Sequence, residues 1–318
     1  MKTNNITRLV IAVYILFMAI PHTASAQLKG ENIPGDFGLQ SGTQAPPAIM
    51  LAVPIYFYNS SKYKKSDGGT LGSPEFNMFF TGIGASVVTN IKVFNANWGA
   101  TLILPFASNR VEGNLVNTDA PFKYTDTYIQ PIQLGWHLKQ ADFVAAYGLF
   151  IPTGKYELGG DGNSGLGMWS QELQGGTTLF FNKQKTFHFS TLLSYEVHSD
   201  KKDTDIKTGD ILTIEGGLGK TWYHKTSGPI PIVINAGFVY YMQYKLSSDE
   251  IPVGNTVFYG DKDHVYGWGA EGNVFLPAIR SQLGIRWLGE SGARNRFQGN
   301  TFFISIAYML KSLATKKE

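Results

Sequence analysis

Between about residues 48 and 311, apolar side chains recur at every second position, and the segments that do this are joined by connections alternately long and short. A period of two belongs to an extended strand, whose successive side chains leave opposite faces. In 300–310, Phe302, Ile304, Ile306, Tyr308 and Leu310 share one parity while Ser305 and Ala307 hold the other. In 233–245, Ile234, Phe238, Tyr240, Met242 and Tyr244 oppose Asn235, Gly237, Tyr241, Gln243 and Lys245. In 187–198, Phe189, Leu193, Tyr195 and Val197 oppose His188, Ser190, Ser194, Glu196 and His198. In 280–288, Leu283, Ile285 and Trp287 alternate with Gln282, Gly284 and Arg286.

Carried through the chain, this pattern predicts twelve strands near 48–58, 75–90, 92–106, 126–139, 141–152, 168–182, 185–199, 209–224, 229–246, 263–276, 279–290 and 299–311. The connections after the odd strands are long and polar: 59–74, 107–125, 153–167, 200–208, 247–261 and 291–298. Those after the even strands are short, as at Ile91, Gln140, Lys183-Gln184 and Pro277-Ala278. Long loops at one end and tight turns at the other define an all-β, transmembrane antiparallel up-and-down β-barrel. In lipid every backbone N–H and C=O needs a partner, so such a sheet must close on itself. One parity then faces lipid and the other the lumen. Trp98, Trp136, Trp222, Trp268 and Trp287 lie within or near strand ends, where an aromatic girdle belongs.

The N-terminus carries an address rather than a fold. Lys2 and Arg8 precede an apolar run from Leu9 to Ile20, and Ala24-Ser25-Ala26 supplies the small-x-small cleavage site of a secretory signal peptide. The apolar run is too short for a membrane-spanning helix, and no longer one follows. The expected organisation is a signal peptide over 1–26, a periplasmic segment over 27–47, an outer-membrane barrel over 48–311 and a polar tail over 312–318. That tail departs from the usual barrel ending, an aromatic residue on the last strand.

Composition narrows the chemistry. Removing Lys2 and Arg8 from a chain of 27 basic and 24 acidic residues leaves the charges nearly balanced, which argues against a nucleic-acid partner. The chain has no cysteine, so disulfides, thiolate zinc sites and thiol nucleophiles are all excluded. None of the six histidines has metal-binding spacing, and no metal or cofactor is expected. His188 and Ser190 share a strand face at the spacing a barrel lipase uses. Their parity points away from lipid and no third group orients the histidine, so no catalytic residue is assigned. The run Gly159–Gly165 lacks the lysine and following helix of a phosphate-binding loop.

What remains is the inward parity itself. Glu172, Gln174, Glu196, Glu215, Gln243 and Glu271, with the basic Lys245 and Arg286, lie mid-strand on predicted lumen faces. A charge there must meet water or a partner, not hydrocarbon. These residues either line a polar path or form networks that plug it, and twelve strands fall between filled small barrels and open large ones.

Several segments resemble a known family: Gly165-Leu166-Gly167-Met168-Trp169-Ser170-Gln171-Glu172, Gly175-Gly176-Thr177-Thr178, Ser194-Tyr195-Glu196-Val197-His198, Thr213-Ile214-Glu215-Gly216-Gly217-Leu218-Gly219-Lys220, Tyr240-Tyr241-Met242-Gln243 and Pro34-Gly35-Asp36-Phe37-Gly38. Together they are similar to the family associated with the meta-pathway of phenol degradation, over roughly residues 30 to 310. The resemblance implies an outer-membrane protein, a passive channel or transporter for small hydrophobic or aromatic compounds, and no enzymatic activity. Its partners would be outer-membrane lipid, apolar solutes and the outer-membrane assembly machinery. Trp169, Gln171, Glu172, Glu196, His198 and Glu215 are the motif positions expected as lumen contacts, or else as locks between adjacent strands. The alternative function is a non-conducting barrel with a structural or surface-binding role.

Overall fold

The structure, a computed structural model, describes residues 29–113, 117–160, 162–228 and 230–314. The expected signal peptide and the last residues of the C-terminal tail lie outside these. Twelve long strands form the wall: β1 (Ala48–Ser60), β2 (Glu75–Val93), β3 (Ala96–Glu112), β4 (Thr127–His137), β5 (Ala141–Ile151), β6 (Ser170–Phe180), β7 (Phe187–His198), β8 (Ile211–His224), β9 (Ile232–Lys245), β10 (His264–Leu276), β11 (Ser281–Arg294) and β12 (Asn300–Ser312). Each pairs antiparallel with its neighbours in sequence, and β1 closes the barrel against β12 through a register from Ala48↔Ser312 to Asn59↔Asn300. No helix among the described residues is long and apolar enough to cross a membrane.

Closure leaves no unpaired edge in the wall, which is the condition for a sheet to stand in hydrocarbon. The outward parity confirms that setting. Leu51, Val53 and Phe57 on β1, Leu283, Ile285 and Trp287 on β11, and Phe302, Ile306, Tyr308 and Leu310 on β12 are all exposed. A water-soluble sheet would bury such rows, and only lipid covers them without cost.

Five of the six connections at the outer end are long and the five at the inner end are short; the sixth outer one, expected over 291–298, shrinks to 295–299 because β11 runs on to Arg294, and it is no longer than the inner turns 181–186 and 225–231. The first inner turn lies at Phe94-Asn95 rather than at Ile91. Both turn residues have positive φ (49° and 64°), the pairing a two-residue type I′ hairpin turn needs, and β2 takes up the extra length in an irregularity between Val88 and Lys92. The Trp136 indole Nε1 donates to the Phe94 carbonyl oxygen across this end at 2.9 Å. At the outer end, a short strand, Asn117–Tyr124, pairs with the outer half of β3.

One expectation is corrected. Residues 29–47 do not hang in the periplasm. They enter the barrel from the outer mouth and run down the lumen to Ala48, which begins β1 at the inner end. Near the outer mouth the Glu31 backbone N–H donates to Glu196 at the end of β7. Near the inner mouth, Gln44 donates to the carbonyl oxygens of Asn97 and Gln133. The cause is the surplus of buried carboxylates on one lumen wall, which need donors that water no longer supplies.

Candidate functional site

The lumen brings many buried polar side chains together, and its two walls differ. Strands β4 and β6 to β11 form a polar wall. Glu172 and Gln174 on β6, Ser190, Ser194, Glu196 and His198 on β7, Thr213 and Glu215 on β8, Gln243 on β9 and Arg286 on β11 are all buried. Their strands set them there by parity alone: each stands two or four residues from its neighbour on the same strand and faces the axis.

The lumen segment is bonded to this wall along its length. Glu196 accepts from the backbone N–H of Glu31 at 2.6 Å and of Asn32 at 3.2 Å. Glu172 accepts from the Asn32 side chain, from Tyr128 Oη at 3.1 Å and from Gln174 Nε2 at 2.9 Å. Arg286 donates to the Gly35 carbonyl oxygen and, at 2.8 Å, to Glu271. Glu271 in turn accepts from the Leu39 N–H at 3.0 Å. Ser190 Oγ donates to the Leu39 carbonyl oxygen at 2.6 Å. Glu215 faces Asp36 of the segment.

Leu39 shows how the wall accommodates the segment. Its side chain is buried against Gly217, Gly219 and Gly237, and a Cβ at any of the three would come within 2.9–3.0 Å of its Cδ2. Glycines on adjacent strands thus leave a flat seat for one leucine. Val239, Tyr241, Val265, Leu288 and Ala293 complete the cluster.

The other wall is made by four contiguous strands, β12, β1, β2 and β3. Its inward residues are mostly apolar, with Met50, Ala52, Pro54 and Tyr56 on β1, Met78 and Phe80 on β2, Ile103 and Pro105 on β3, Phe303 and Ala307 on β12, and with Ser86, Thr101, Asn109 and Ser305 interspersed on the same face. The cross-strand register sets Tyr56 beside Phe80 and Phe303, and Ala52 beside Gly84 and Ala307. Met50, Ala52, Pro54, Phe80, Ile103, Phe303 and Ala307 all keep intermediate exposure, whereas Glu172 on the polar wall is only 1% exposed. The accessible space inside the barrel therefore runs along the apolar wall.

The outer mouth carries a charged collar. Asp263 lies 3.1 Å from Arg296 and 3.2 Å from Lys245, and Lys245 also meets Asp249 at 2.9 Å. Burial alone would raise the Asp263 carboxyl, but Arg296 and then Lys245 outweigh it and hold the group below its usual range. Glu290 accepts from Tyr58 and Tyr241, each at 2.7 Å. Lys29 lies over the rings of Phe76 and Phe297, 5.5 and 5.7 Å from their centroids. In the loop after β7, burial lowers Lys201 to about 8, and its ammonium donates to the Leu166 carbonyl oxygen at 2.8 Å.

Of the nine residues expected in the lumen, seven face it. Glu172, Glu196, Glu271 and Arg286 hold the segment directly. His198 bonds Ser170 at 2.8 Å and lies 3.5 Å from Glu196. Gln243 bonds Thr213 and accepts from Arg296. Trp169 and Gln171 do not face the lumen. Gln171 is exposed on the outer surface, where it accepts from Tyr147 at 3.1 Å, because it adjoins Glu172 and adjacent strand residues cannot share a face. Trp169 is 48% exposed at the outer rim. His188 and Ser190 share the inward face as expected, but Ser190 is committed to Leu39, and no hydrogen bond joins the two among the described residues.

Sequence reasoning missed the apolar wall and the lumen segment. The first had a signal: Ala48–Tyr58 is apolar on both parities, which a strand facing lipid on one side and water on the other would not be. The second had none beyond a polar, glycine-containing stretch ahead of β1.

A family model described as "Putative MetA-pathway of phenol degradation" matches residues 60–306. No curated protein sequence matches the chain. An outer membrane channel from Pseudomonas putida F1 superposes with a TM-score of 0.69 at 14% identity, over 88% of this chain and 100% of that one. The β domain of the Bordetella autotransporter BrkA gives 0.48 at 10% identity, over 83% and 100%. The monoaromatic hydrocarbon channel CymD gives 0.40 at 11% identity, over 86% and 91%. The first of these shares the barrel fold with this chain.

Proposed function

We propose a function from one premise: this chain belongs to the family described as a putative MetA-pathway of phenol degradation. The protein is an outer-membrane channel that passively admits small apolar or aromatic solutes along the apolar wall of its lumen. One observation carries this: the residues that keep exposure inside the barrel include the apolar set Met50, Ala52, Pro54, Phe80, Ile103, Phe303 and Ala307, with Ser86, Thr101, Asn109 and Ser305 between them, while Glu172, Glu196 and Glu215 of the polar wall are buried under residues 29–47. An arene gains by leaving water for such a surface, and a sugar finds only scattered hydrogen-bonding groups on it, such as Ser86, Thr101 and Ser305. The Pseudomonas putida protein of the same fold is described as an outer membrane channel, a description this proposal extends to the present chain.

Glu172, Glu196, Glu271 and Arg286 act in this scheme by holding the segment that narrows the path, not by touching solute. The lipid-facing rows require a bilayer partner, and insertion there calls for the outer-membrane assembly machinery. The test is flux into liposomes carrying the purified, heat-modifiable protein, with phenol compared against a sugar of similar size. Phenol flux should exceed sugar flux, and Ile103→Asp should reduce the phenol rate several-fold by placing a charge on the apolar path. Equal rates for both solutes would overturn the proposal. Absence of any flux would favour a non-conducting barrel, the function to which the continuous bonding of the lumen segment also points.

A further inference from the structure

The lipid-facing surface is not apolar throughout. At the outer end of β1, β2, β3, β11 and β12 it holds a groove of about 560 Å³. Its floor and roof are two cross-strand rows. Phe302, Phe57 and Phe79 lie side by side in register, and one residue pair further out lie Asn300, Asn59 and Asn77. All three asparagines are exposed, and none of their side chains bonds another protein group among the described residues. Beside them Gly289 leaves a notch: a Cβ there would come 3.3 Å from the Trp287 ring and 3.4 Å from Asn300 Oδ1.

The order of the rows matters. Aromatic rings mark the boundary between hydrocarbon and headgroups, and uncharged amides stand just beyond it. Three amides on strands about 4.8 Å apart offer donors and acceptors over roughly 10 Å, the width of one or two sugar rings. The charges nearby do not ask for a phosphate. Arg110 is already engaged by Glu112 at 2.5 Å, and Asp119, opposite Arg110 in the register, adds a negative charge. A ligand for this groove has acyl chains below and hydroxyl and amide groups above.

We propose that the groove seats one glycolipid of the outer leaflet, with its chains across Phe57, Phe79 and Phe302 and its sugar hydroxyls and amides on Asn59, Asn77 and Asn300. The sugar, not a phosphate, carries the recognition. This rests on the outer-membrane setting proposed above but not on transport.

The full-length protein is placed in phosphatidylcholine nanodiscs doped with either lipid A or phosphatidylglycerol, and retained lipid is counted by native mass spectrometry. One lipid A per barrel should survive dilution while phosphatidylglycerol exchanges away. N59A/N77A should lower lipid A retention roughly tenfold, as expected for losing a pair of hydrogen-bonding amides. Gly289→Phe, which fills the notch and leaves the asparagines in place, should also lower it, so the test stands if the double variant fails to fold. Equal retention of phosphatidylglycerol, or retention unchanged in folded N59A/N77A and Gly289→Phe, overturns the proposal. Phenol flux measured in phosphatidylcholine vesicles should be the same for wild type and these variants. A barrel that holds lipid A but passes no solute refutes only the channel.

Discussion

The two lumen walls face each other across one barrel yet solve opposite problems. The wall of β6 to β11 buries Glu172, Glu196 and Arg286, and satisfies them by recruiting the chain's own N-terminal segment, whereas Glu215 on the same wall faces the segment's Asp36. The wall of β12, β1, β2 and β3 carries no inward charge along Met50–Tyr56 and its partners, only scattered polar groups such as Ser86, Thr101 and Ser305, and its apolar side chains remain open to the lumen. A polar wall in a narrow barrel attracts a plug because each unpaired buried group is costly. An apolar wall does not, so the path left over takes its chemistry from the wall that needed no partner.

Removing residues 29–44 breaks this contrast most severely. The polar wall is then bare and hydrated, single-channel conductance in planar bilayers should rise about tenfold, and sugars should pass beside arenes, since the freed lumen is wide and polar on one side. Unchanged conductance would mean that the segment fills no conducting space.

Arg286→Met is the next largest. It leaves Glu271 buried without its guanidinium partner at 2.8 Å and frees the Gly35 carbonyl, which should cost about 3–5 kcal/mol in unfolding from detergent. Leu39→Ala empties the seat on Gly217, Gly219 and Gly237, with an expected cost of about 2–4 kcal/mol. This loss should fall on the segment alone, read as faster amide exchange over residues 30–46 with β8 and β9 still protected. Exchange that quickened equally in the strands would dissolve the distinction between plug and wall.

Acidification gives the smallest effect, confined to the outer collar. Asp263 has a folded pKa below its unfolded value, so its contribution is present above about pH 4 and is lost as pH falls through the lower, folded value. Acid should therefore loosen the contacts of Arg296 and Lys245, read as faster amide exchange around Asp263 at low pH. Asp263→Asn should show the same loosening at pH 7, with the acid step removed. A variant as acid-sensitive as the parent would place the titrating group elsewhere.

Much of this fold was legible in the amino-acid order. Twelve strands, their approximate limits, the closure of β1 on β12 and the lipid-facing parity all follow from alternation plus the segregation of long and short connections. Seven of the nine residues expected in the lumen face it for the same reason. Gln171 was misplaced through neglect of that rule, since its neighbour Glu172 had already taken the inward face. Trp169 lies one residue before β6, at the rim, where alternation no longer constrains direction.

Alternation is a local property. It determines, strand by strand, which side chains see lipid and which see the axis, because the pleat repeats every two residues whatever lies across the barrel. It carries no information about what a side chain meets on the axis. That Glu31 would meet Glu196, or Gly35 would meet Arg286, depended on contacts 165 and 251 residues apart in sequence. Those contacts exist only once the sheet has closed, shut water out of the polar wall and left its carboxylates to find donors in the one stretch of chain free to enter.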